Sequence, residues 1–332
     1  MRDRRDDPSS QRFISSPPDS WVVPDTWRLG TGEDRVRAAI VGCGGAGCNT
    51  LRHVAPAAGV ERIAVNDAPH PSMIGVPRRV LIASGPLKAI ASMEEKGIPT
   101  LATHEEKDLS NALADRDLVL ALGGLGGEFG GWALSVVGRV ARILGDASLA
   151  FATVPFTAEG MLRRHLSESQ LATLRRRADG VVAFGNDALL RAYPTLPLAR
   201  AFGAMGAIMA KPAAALPTVL SRTDLVPLKR FLARAKEWRF GMGSGAEKHR
   251  CFLAVEEAYG SPWFTGRPED VRQAVVLIAQ PPGAAFEDEI LREVRLRSPR
   301  ADVAWAVLPD PAPEDRVTVQ VLAGLEVPAA SP

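Results

Sequence analysis

Residues 121–131 read Ala-Leu-Gly-Gly-Leu-Gly-Gly-Glu-Phe-Gly-Gly, and this glycine-rich run decides the fold. It follows an apolar stretch at 117–122 that predicts a buried strand, and it precedes a segment at 132–144 with helical character. Glycines between a strand and a helix let an anionic ligand approach the N–H groups at the helix start. The run therefore predicts an anion-binding loop. A turn that only packs a helix closely on a sheet is the alternative.

A second glycine-rich run, Gly-Cys-Gly-Gly-Ala-Gly, lies upstream at residues 42–47. It also falls between a predicted strand, 36–41, and a predicted helix, 47–54. Two such loops in one sheet favour a single nucleotide held between them. The run also fits the dinucleotide pattern GxGxxG, and Asp67 follows about 20 residues later, where it would bind a ribose. An NAD-dependent oxidoreductase is therefore a rival hypothesis.

Composition narrows the class of protein. The chain has 332 residues and is 46% hydrophobic, enough for a large core and two domains of ordinary size. Its 40 basic and 38 acidic residues are too balanced for a dedicated nucleic-acid binder, and the arginines at 175–177 are interpreted as a solvated helix end. Cys43, Cys48 and Cys251 indicate neither a disulfide framework nor a metal site. Without a signal peptide or a long apolar run, we expect a cytoplasmic protein.

The order of predicted elements indicates an α/β fold. Residues 1–35 are charged and proline-rich, and we expect a flexible N-terminal extension that lies against the body through Trp21 and Trp27. Strands and helices then alternate over 36–197, which predicts a doubly wound, mostly parallel sheet. Ligands bind outside the carboxyl ends of strands in such sheets. The crevice there is expected to gather the glycine loops, Asn66, Asp67, Glu159 and Asn186.

After residue 197 the sequence no longer shows the regular alternation of predicted strands and helices. Residues 198–222 predict a central helix and connection, in which Pro212 and Pro217 are expected to end the helix early. A smaller α+β domain is predicted over 223–326, followed by a short tail at 327–332. Its expected elements are helices at 228–238 and 247–259, a glycine turn at 241–245, and strands at 271–278, 301–308 and 316–322.

Several of these segments resemble the tubulin/FtsZ superfamily, FtsZ and FtsZ-like proteins in particular, over residues 36–325. Pro-Phe-Thr-Ala-Glu-Gly-Met-Leu-Arg at 155–163 is the most specific, because it keeps the family's proline-phenylalanine, glutamate-glycine and arginine pattern. Residues 40–49 resemble the family's first phosphate loop, and 63–67 its second strand and loop. Further similar segments lie at 186–190, 201–202, 241–245 and 256–262.

The resemblance implies a GTP-binding domain, a central helix and a second domain, with GTP or GDP and its Mg²⁺ as ligand. Glycines would hold phosphates, Glu159 the ribose, Arg163 would lie by the nucleotide, and Asn186 and Phe202 would touch the base. The implied nucleotide-binding residues are Gly42, Gly44, Gly45, Gly47, Asn49, Gly124, Gly126, Gly127, Glu159, Arg163, Asn186 and Phe202.

The resemblance also implies partners. Family members stack head to tail, so self-association or co-assembly with an FtsZ homologue is expected, without nucleic acid and without direct membrane insertion. FtsZ proteins commonly continue into a linker and a peptide that docks membrane anchors, whereas only residues 326–332 follow the last predicted strand here. Membrane recruitment by that route is not expected.

The differences from the family pattern lie at residues that the resemblance implies would contact the nucleotide. The family's loop GGGTGTG is replaced at 126–132, where both threonines are missing. Glu128 adds a negative charge where a triphosphate would lie, and Phe129 and Trp132 add bulk. Gly206 stands where the family has the aspartate that pairs with guanine, and a different segment, 84–93, replaces a glycine-alanine loop.

The hydrolytic loop departs as well. In the family an asparagine and two aspartates of one subunit act on the nucleotide of the next, whereas residues 221–227 offer Asp224 alone as a catalytic residue, with Pro227 nearby. Losing one such group costs on the order of a hundredfold in rate. We expect an FtsZ-like protein that forms or modulates filaments, with a degenerate site and weak or absent GTP hydrolysis. A slow active GTPase and the NAD-dependent enzyme are the alternatives.

Overall fold

The computed structural model describes residues 26–93, 100–235, 237–309, 312–313 and 315–325. Trp21 and the expected tail at 327–332 lie outside these residues. Within them, the strands are β1 (Thr26–Arg28), β2 (Ala38–Cys43), β3 (Val60–Asn66), β4 (Arg78–Leu81), β5 (Leu118–Gly124), β6 (Ala147–Val154), β7 (Gly180–Gly185), β8 (Glu237–Ala246), β9 (Val271–Ala279), β10 (Asp302–Val307) and β11 (Arg316–Leu325).

The α-helices of the described residues alternate with these strands. They are α1 (Gly44–Leu51), α2 (Ser84–Ser92), α3 (His104–Leu113), α4 (Gly130–Leu144), α5 (Met161–Arg177), α6 (Asn186–Ala192), α7 (Leu198–Val219), α8 (Leu225–Ala233), α9 (Arg250–Tyr259) and α10 (Glu287–Arg297). Short 3-10 turns connect several of them, including Arg222–Asp224 between α7 and α8.

All the strands lie in one sheet with the order β1-β10-β9-β11-β8-β7-β6-β5-β2-β3-β4. Strands β2 to β7 are parallel, as the alternation of strands and helices predicts. In the second half β11 pairs antiparallel with both β8 and β9. The two halves meet at β7 and β8, through the pair Val182 and Trp238. The predicted α/β class, with a second α+β unit, is confirmed.

Helices cover both faces of the parallel half. On one face α1 and α7 pack over side chains such as Ile40, Leu120 and Phe151, all fully buried. On the other face α2, α3 and α4 pack over Val41, Val119 and their neighbours. Strands buried on both faces explain why these segments are continuous apolar runs rather than alternating ones.

The central helix α7 is longer than predicted, because Pro212 and Pro217 lie inside it and do not end it. Its buried side chains recur every three or four residues, at Ala201, Met205, Met209, Ala213 and Leu216. An interior proline costs about 3 kcal/mol, whereas burying one Met or Leu side chain gains about 1.5–3 kcal/mol. Tertiary packing of this face therefore outweighs the local preference.

Two other local predictions for the second half are wrong. The helix predicted to reach Trp238 ends at Ala233, and Trp238 belongs to β8, where its Nε1 donates to Leu232 O at 3.1 Å. The glycine turn predicted at 241–245 is also part of β8. Its alternate glycines face α9, where an added Cβ would come within 2.0, 2.2 and 2.0 Å of helix carbonyl oxygens. These glycines permit close packing of strand and helix rather than a turn.

The end of the expected flexible extension is part of the fold. Strand β1 pairs in parallel with β10, and Leu29 is buried. The Trp27 ring lies edge-on to Phe231, with centroids 5.9 Å apart, so this tryptophan packs against its own chain. The arginine cluster differs from expectation too, because Arg177 is buried and donates to Met93 O at 2.8 Å.

Candidate functional site

The two glycine loops meet at the carboxyl edge of the parallel strands. Gly44 begins α1 with a φ of +67°, and a Cβ there would lie 3.0 Å from the Cα of Gly130, the first residue of α4. Gly47 packs α1 on the sheet so closely that a Cβ would lie 2.1 Å from Leu122 O. Neither α1 nor α4 has a side-chain cap at its start. Two uncapped helix N-termini side by side form a place for an anion.

The second loop is held by Gln170, a buried residue of α5 that no sequence motif identifies. Its Oε1 accepts the N–H of Gly126 at 2.8 Å, and its Nε2 donates to Gly127 O at 2.8 Å. Gly126 has a φ of +81° and lies against Arg163 O, whereas space beside Gly127 is open. One N–H group that this loop was predicted to offer a phosphate is therefore bonded within the protein.

The three departures in this loop take different positions. Phe129 and Trp132 are buried, with exposed fractions of 7% and 6%, and join the core under the loop. The Trp132 Nε1 has no hydrogen-bond partner in the described residues. Glu128 is exposed. The two aromatic side chains thus belong to the core, and of the three residues only Glu128 is exposed at the carboxyl edge of the parallel strands.

A pocket of about 500 Å³ lies beside the first loop and reaches α7. It brings together Asn49, Asn186, Phe202 and Gly206, which are distant in sequence. Asn186 begins α6 and is 4% exposed, and its Oδ1 has no hydrogen-bond partner among the described residues. A buried amide oxygen without a partner costs about 1–3 kcal/mol, which a donor on a ligand would recover. The Phe202 ring is half exposed and lies edge-on to Phe156 at 5.3 Å.

Arg52 and His53 also line this pocket and were not predicted. The Arg52 Nε lies 3.4 Å from the His53 Nε2. Burial, and secondarily the Arg52 charge, lowers the pKa of His53, which favours the neutral imidazole. A Cβ on Gly206 would lie 3.2 Å from Thr50 Oγ1 and 3.7 Å from the His53 ring. Gly206 stands where the resemblance implies an aspartate that pairs with guanine, and no acid is present among the described residues that line the pocket.

The segment at 155–163 follows β6 at the carboxyl edge of the parallel strands and lies next to α6. The Glu159 carboxylate accepts the Phe156 N–H at 2.8 Å and pairs with Arg163 at 2.5 Å. Asp187 accepts the Thr157 N–H at 3.0 Å, tying this segment to α6. Glu159 and Arg163 therefore lie at the expected edge, already paired with each other.

Asp67, which the dinucleotide hypothesis places at a ribose, lies apart from the pocket, and so does Asn66, which was expected in the same crevice. Asp67 accepts a hydrogen bond from Ser84 Oγ at 3.2 Å, and Asn66 donates to Ala68 O at 3.1 Å. Neither lines the pocket that contains Asn49 and Asn186. The ribose-binding role that GxGxxG suggests for Asp67 has no support in this geometry.

Asp224, the candidate catalytic residue, faces inward. It is 3% exposed, and its Oδ2 accepts hydrogen bonds from Gly30 N at 2.8 Å, Ser221 N at 2.8 Å and Ser221 Oγ at 2.7 Å. A carboxylate three residues after Ser221 that accepts the Ser221 N–H is a capping box, which stabilises the start of a helical turn. In this structure Asp224 stabilises its own subunit and does not extend toward a neighbour.

Other kinds of site are not indicated by the described residues. All three cysteines are buried and unpaired. No group of three or more His, Cys, Asp or Glu side chains has a metal-binding arrangement in the described ranges. Among the helices that the structure describes, none is long and apolar enough to cross a membrane.

A glycine-loop pocket lies at the carboxyl edge of the parallel strands, beside a long central helix, which is where α/β sheets of this class bind their ligands. No protein-family model matches the chain. It is 29% identical over 299 residues to cell division protein FtsZ 1 of Pyrococcus horikoshii, covering 87% of this chain and 80% of the relative. It is also 29% identical over 309 residues to FtsZ of Methanothermobacter thermautotrophicus, covering 89% and 81%.

Solved structures agree with these relatives. An FtsZ dimer from M. jannaschii superimposes with a TM-score of 0.73 at 24% identity, over 87% of this chain and 88% of that one. CetZ2 from Haloferax volcanii, solved as a GTPγS-bound protofilament, gives 0.66 at 19% identity, over 87% and 93%. The chain is a member of the tubulin/FtsZ superfamily. The NAD-dependent alternative is not favoured.

Proposed function

We propose that this chain is an FtsZ-like cytoskeletal protein whose subunits stack head to tail and whose GTP hydrolysis is weak or absent. Support for assembly comes from similar proteins: one neighbour is an FtsZ dimer and another a GTPγS-bound protofilament. The single observation that carries the loss of hydrolysis is Asp224, whose carboxylate is buried and accepts three hydrogen bonds within its own subunit.

The residues of the pocket suit the base of a nucleotide better than the glycine loops suit its phosphates. Asn186, with its unpartnered amide oxygen, and the half-exposed ring of Phe202 suit a flat heterocycle. GTP or GDP with Mg²⁺ is the ligand of this proposal, held by Asn49, Asn186, Phe202 and the glycines of the first loop. At the phosphate end, the negative charge of Glu128 and the internal bond of the Gly126 N–H oppose a triphosphate. We therefore propose that the protein binds GTP weakly and carries little nucleotide when purified.

Nucleotide content and a single charge change test this proposal. Glu128→Gln removes the negative charge while keeping the size and exposure of the side chain, and it should raise GTP affinity about tenfold. Phe129 is left unchanged because it belongs to the core. Glu168→Gln, an equally conservative change at an exposed position on α5, is the matched control and should leave affinity unchanged.

Calorimetric titration of the wild type, Glu128→Gln and Glu168→Gln with GTP measures the affinities. Mass spectrometry of ligand released on denaturation measures the nucleotide content of the purified protein. Stoichiometric GTP or GDP in the wild-type protein would overturn the weak-binding proposal. Equal affinities of the wild type and Glu128→Gln would show that Glu128 is not what opposes the triphosphate.

A further inference from the structure

The loop between α7 and α8 presents a positive charge at the amino edge of the parallel strands. Arg222 is 47% exposed and donates to Asp117 Oδ1 at 2.8 Å, while its backbone N–H donates to Asp34 O at 2.8 Å. Arg37 also pairs with Asp117, at 3.4 Å. Arg222 and Arg37 share the one carboxylate of Asp117, and Asp115 and Asp146 also act on Arg37, so Arg222 is the exposed cation of this loop. The acid of the same loop, Asp224, faces the interior.

The opposite edge presents a negative charge on an equally fixed loop. Glu128 is exposed, and its loop is held by the two hydrogen bonds of Gln170 and by the burial of Phe129 beneath it. Gly126 also passes so close to α5 that an added Cβ would lie 2.8 Å from Arg163 O. Glu128 has no ion pair in the described residues, and its charge is directed into solvent.

The two charged residues lie at opposite ends of one strand. Asp117, which holds Arg222, immediately precedes β5, and Glu128 follows the end of β5. A strand of seven residues is about 23 Å long at roughly 3.3 Å per residue. A second copy translated along β5 would therefore bring its Arg222 toward Glu128 of the first. Because the two surfaces differ, such a contact repeats into an open filament.

Exposed apolar residues accompany each charge. At the carboxyl edge, Met161 and Leu162 are 75% and 84% exposed. At the amino edge, Val226 is 57% and Leu144 38% exposed. Each edge thus carries exposed apolar side chains and a charged residue of opposite sign to that on the other edge, and specific interfaces bury surfaces of this composition.

We propose that Arg222 of one subunit pairs with Glu128 of the next copy of this chain in a head-to-tail contact. This inference rests on the proposed function, in which subunits stack head to tail. Glu128 supplies from the protein itself the negative charge that a bound triphosphate would place at this edge. The contact therefore forms without nucleotide.

Two charge-reversed proteins, Arg222→Glu and Glu128→Arg, test the pairing. Each alone places like charges at the contact, and each should need about tenfold more protein than the wild type to sediment, without nucleotide. An equal mixture should recover wild-type sedimentation, because alternating copies again place opposite charges at every contact. Recovery in a mixture requires both variants to be folded, so a folding defect cannot imitate it. Arg164→Glu and Glu168→Arg, which reverse an exposed pair on the side of α5, are the matched controls and should sediment as the wild type does.

The outcomes separate the inference from the proposed function. Wild-type sedimentation that neither charge reversal weakens would overturn the Arg222–Glu128 contact and leave head-to-tail assembly intact. Reversals that weaken sedimentation without recovery in the mixture would overturn the contact as well. Wild-type protein that remains monomeric at every concentration would overturn both the contact and self-assembly.

Discussion

Replacing Asp224 by alanine removes a hydrogen-bond acceptor on which two segments of the chain depend. The Oδ2 atom accepts the backbone N–H groups of Gly30 and Ser221 and the Ser221 hydroxyl, at 2.7–2.8 Å. Loss of a cap costs about 0.5–2 kcal/mol, and each buried N–H left without a partner costs about 1–3 kcal/mol. We expect Asp224→Ala to lower the free energy of unfolding by about 3 kcal/mol or more.

Urea unfolding followed by circular dichroism measures this loss. Asp224→Asn keeps one carbonyl acceptor and should cost only about 1 kcal/mol. Asp34→Ala, an exposed acid on the segment that covers the same loop, is the matched control and should change stability by less than about 0.5 kcal/mol. If Asp224→Ala unfolds at the same urea concentration as the wild type, the carboxylate is not a structural cap. Its three hydrogen bonds would then be no reason to exclude Asp224 from catalysis.

Three further predictions concern packing, pH and the pocket. Gly241→Ala should lower the free energy of unfolding by more than about 3 kcal/mol or prevent folding, because its Cβ would lie 2.0 Å from Ala258 O. Gly85→Ala, in open space on α2, is the control and should raise the free energy of unfolding by up to about 1 kcal/mol, as thermal unfolding would measure. Burial raises the pKa of Asp146 from its ordinary value of 3.8 to about 7. Asp146 therefore loses its proton at a lower pH in the unfolded chain than in the folded protein, and the folded protein loses stability as pH rises from about 4 to about 7. Asp146→Asn should therefore be more stable than the wild type by on the order of 1–2 kcal/mol at pH 8 and equal to it near pH 3, as urea titrations at both pH values would measure. Gly206→Asp should raise GTP affinity relative to ITP in competition binding, since a carboxylate there can accept guanine's 2-amino group, and an unchanged ratio would count against this placement of the base.

Much of the first half of the fold was predictable because its signals are local. A buried apolar run followed by glycines identifies a strand, a tight turn and a helix start without reference to the rest of the chain. The same local signal failed at 241–245, where glycines serve close packing against α9. That packing depends on a helix that only the fold brings into contact.

The site shows the same division. Asn49, Asn186 and Phe202 line one pocket. Of the three, the order of strands and helices predicted only Asn186 at this edge of the sheet, whereas Asn49 and Phe202 were expected from the resemblance to the FtsZ family. The burial of Asp224 was not predictable, because one of its three donors, Gly30, lies 194 positions away in the chain. Gln170 was missed for a similar reason, since its two hydrogen bonds reach a loop more than 40 positions away.

Phosphate release per subunit, measured with sedimentation across protein concentrations in the presence of GTP and Mg²⁺, tests the central claim most directly. An active site completed between two subunits turns over faster as more subunits assemble. Because Asp224 is held within its own subunit, we predict that the sedimented fraction rises with concentration while turnover per subunit stays near background. Turnover that climbs together with the sedimented fraction would contradict the account.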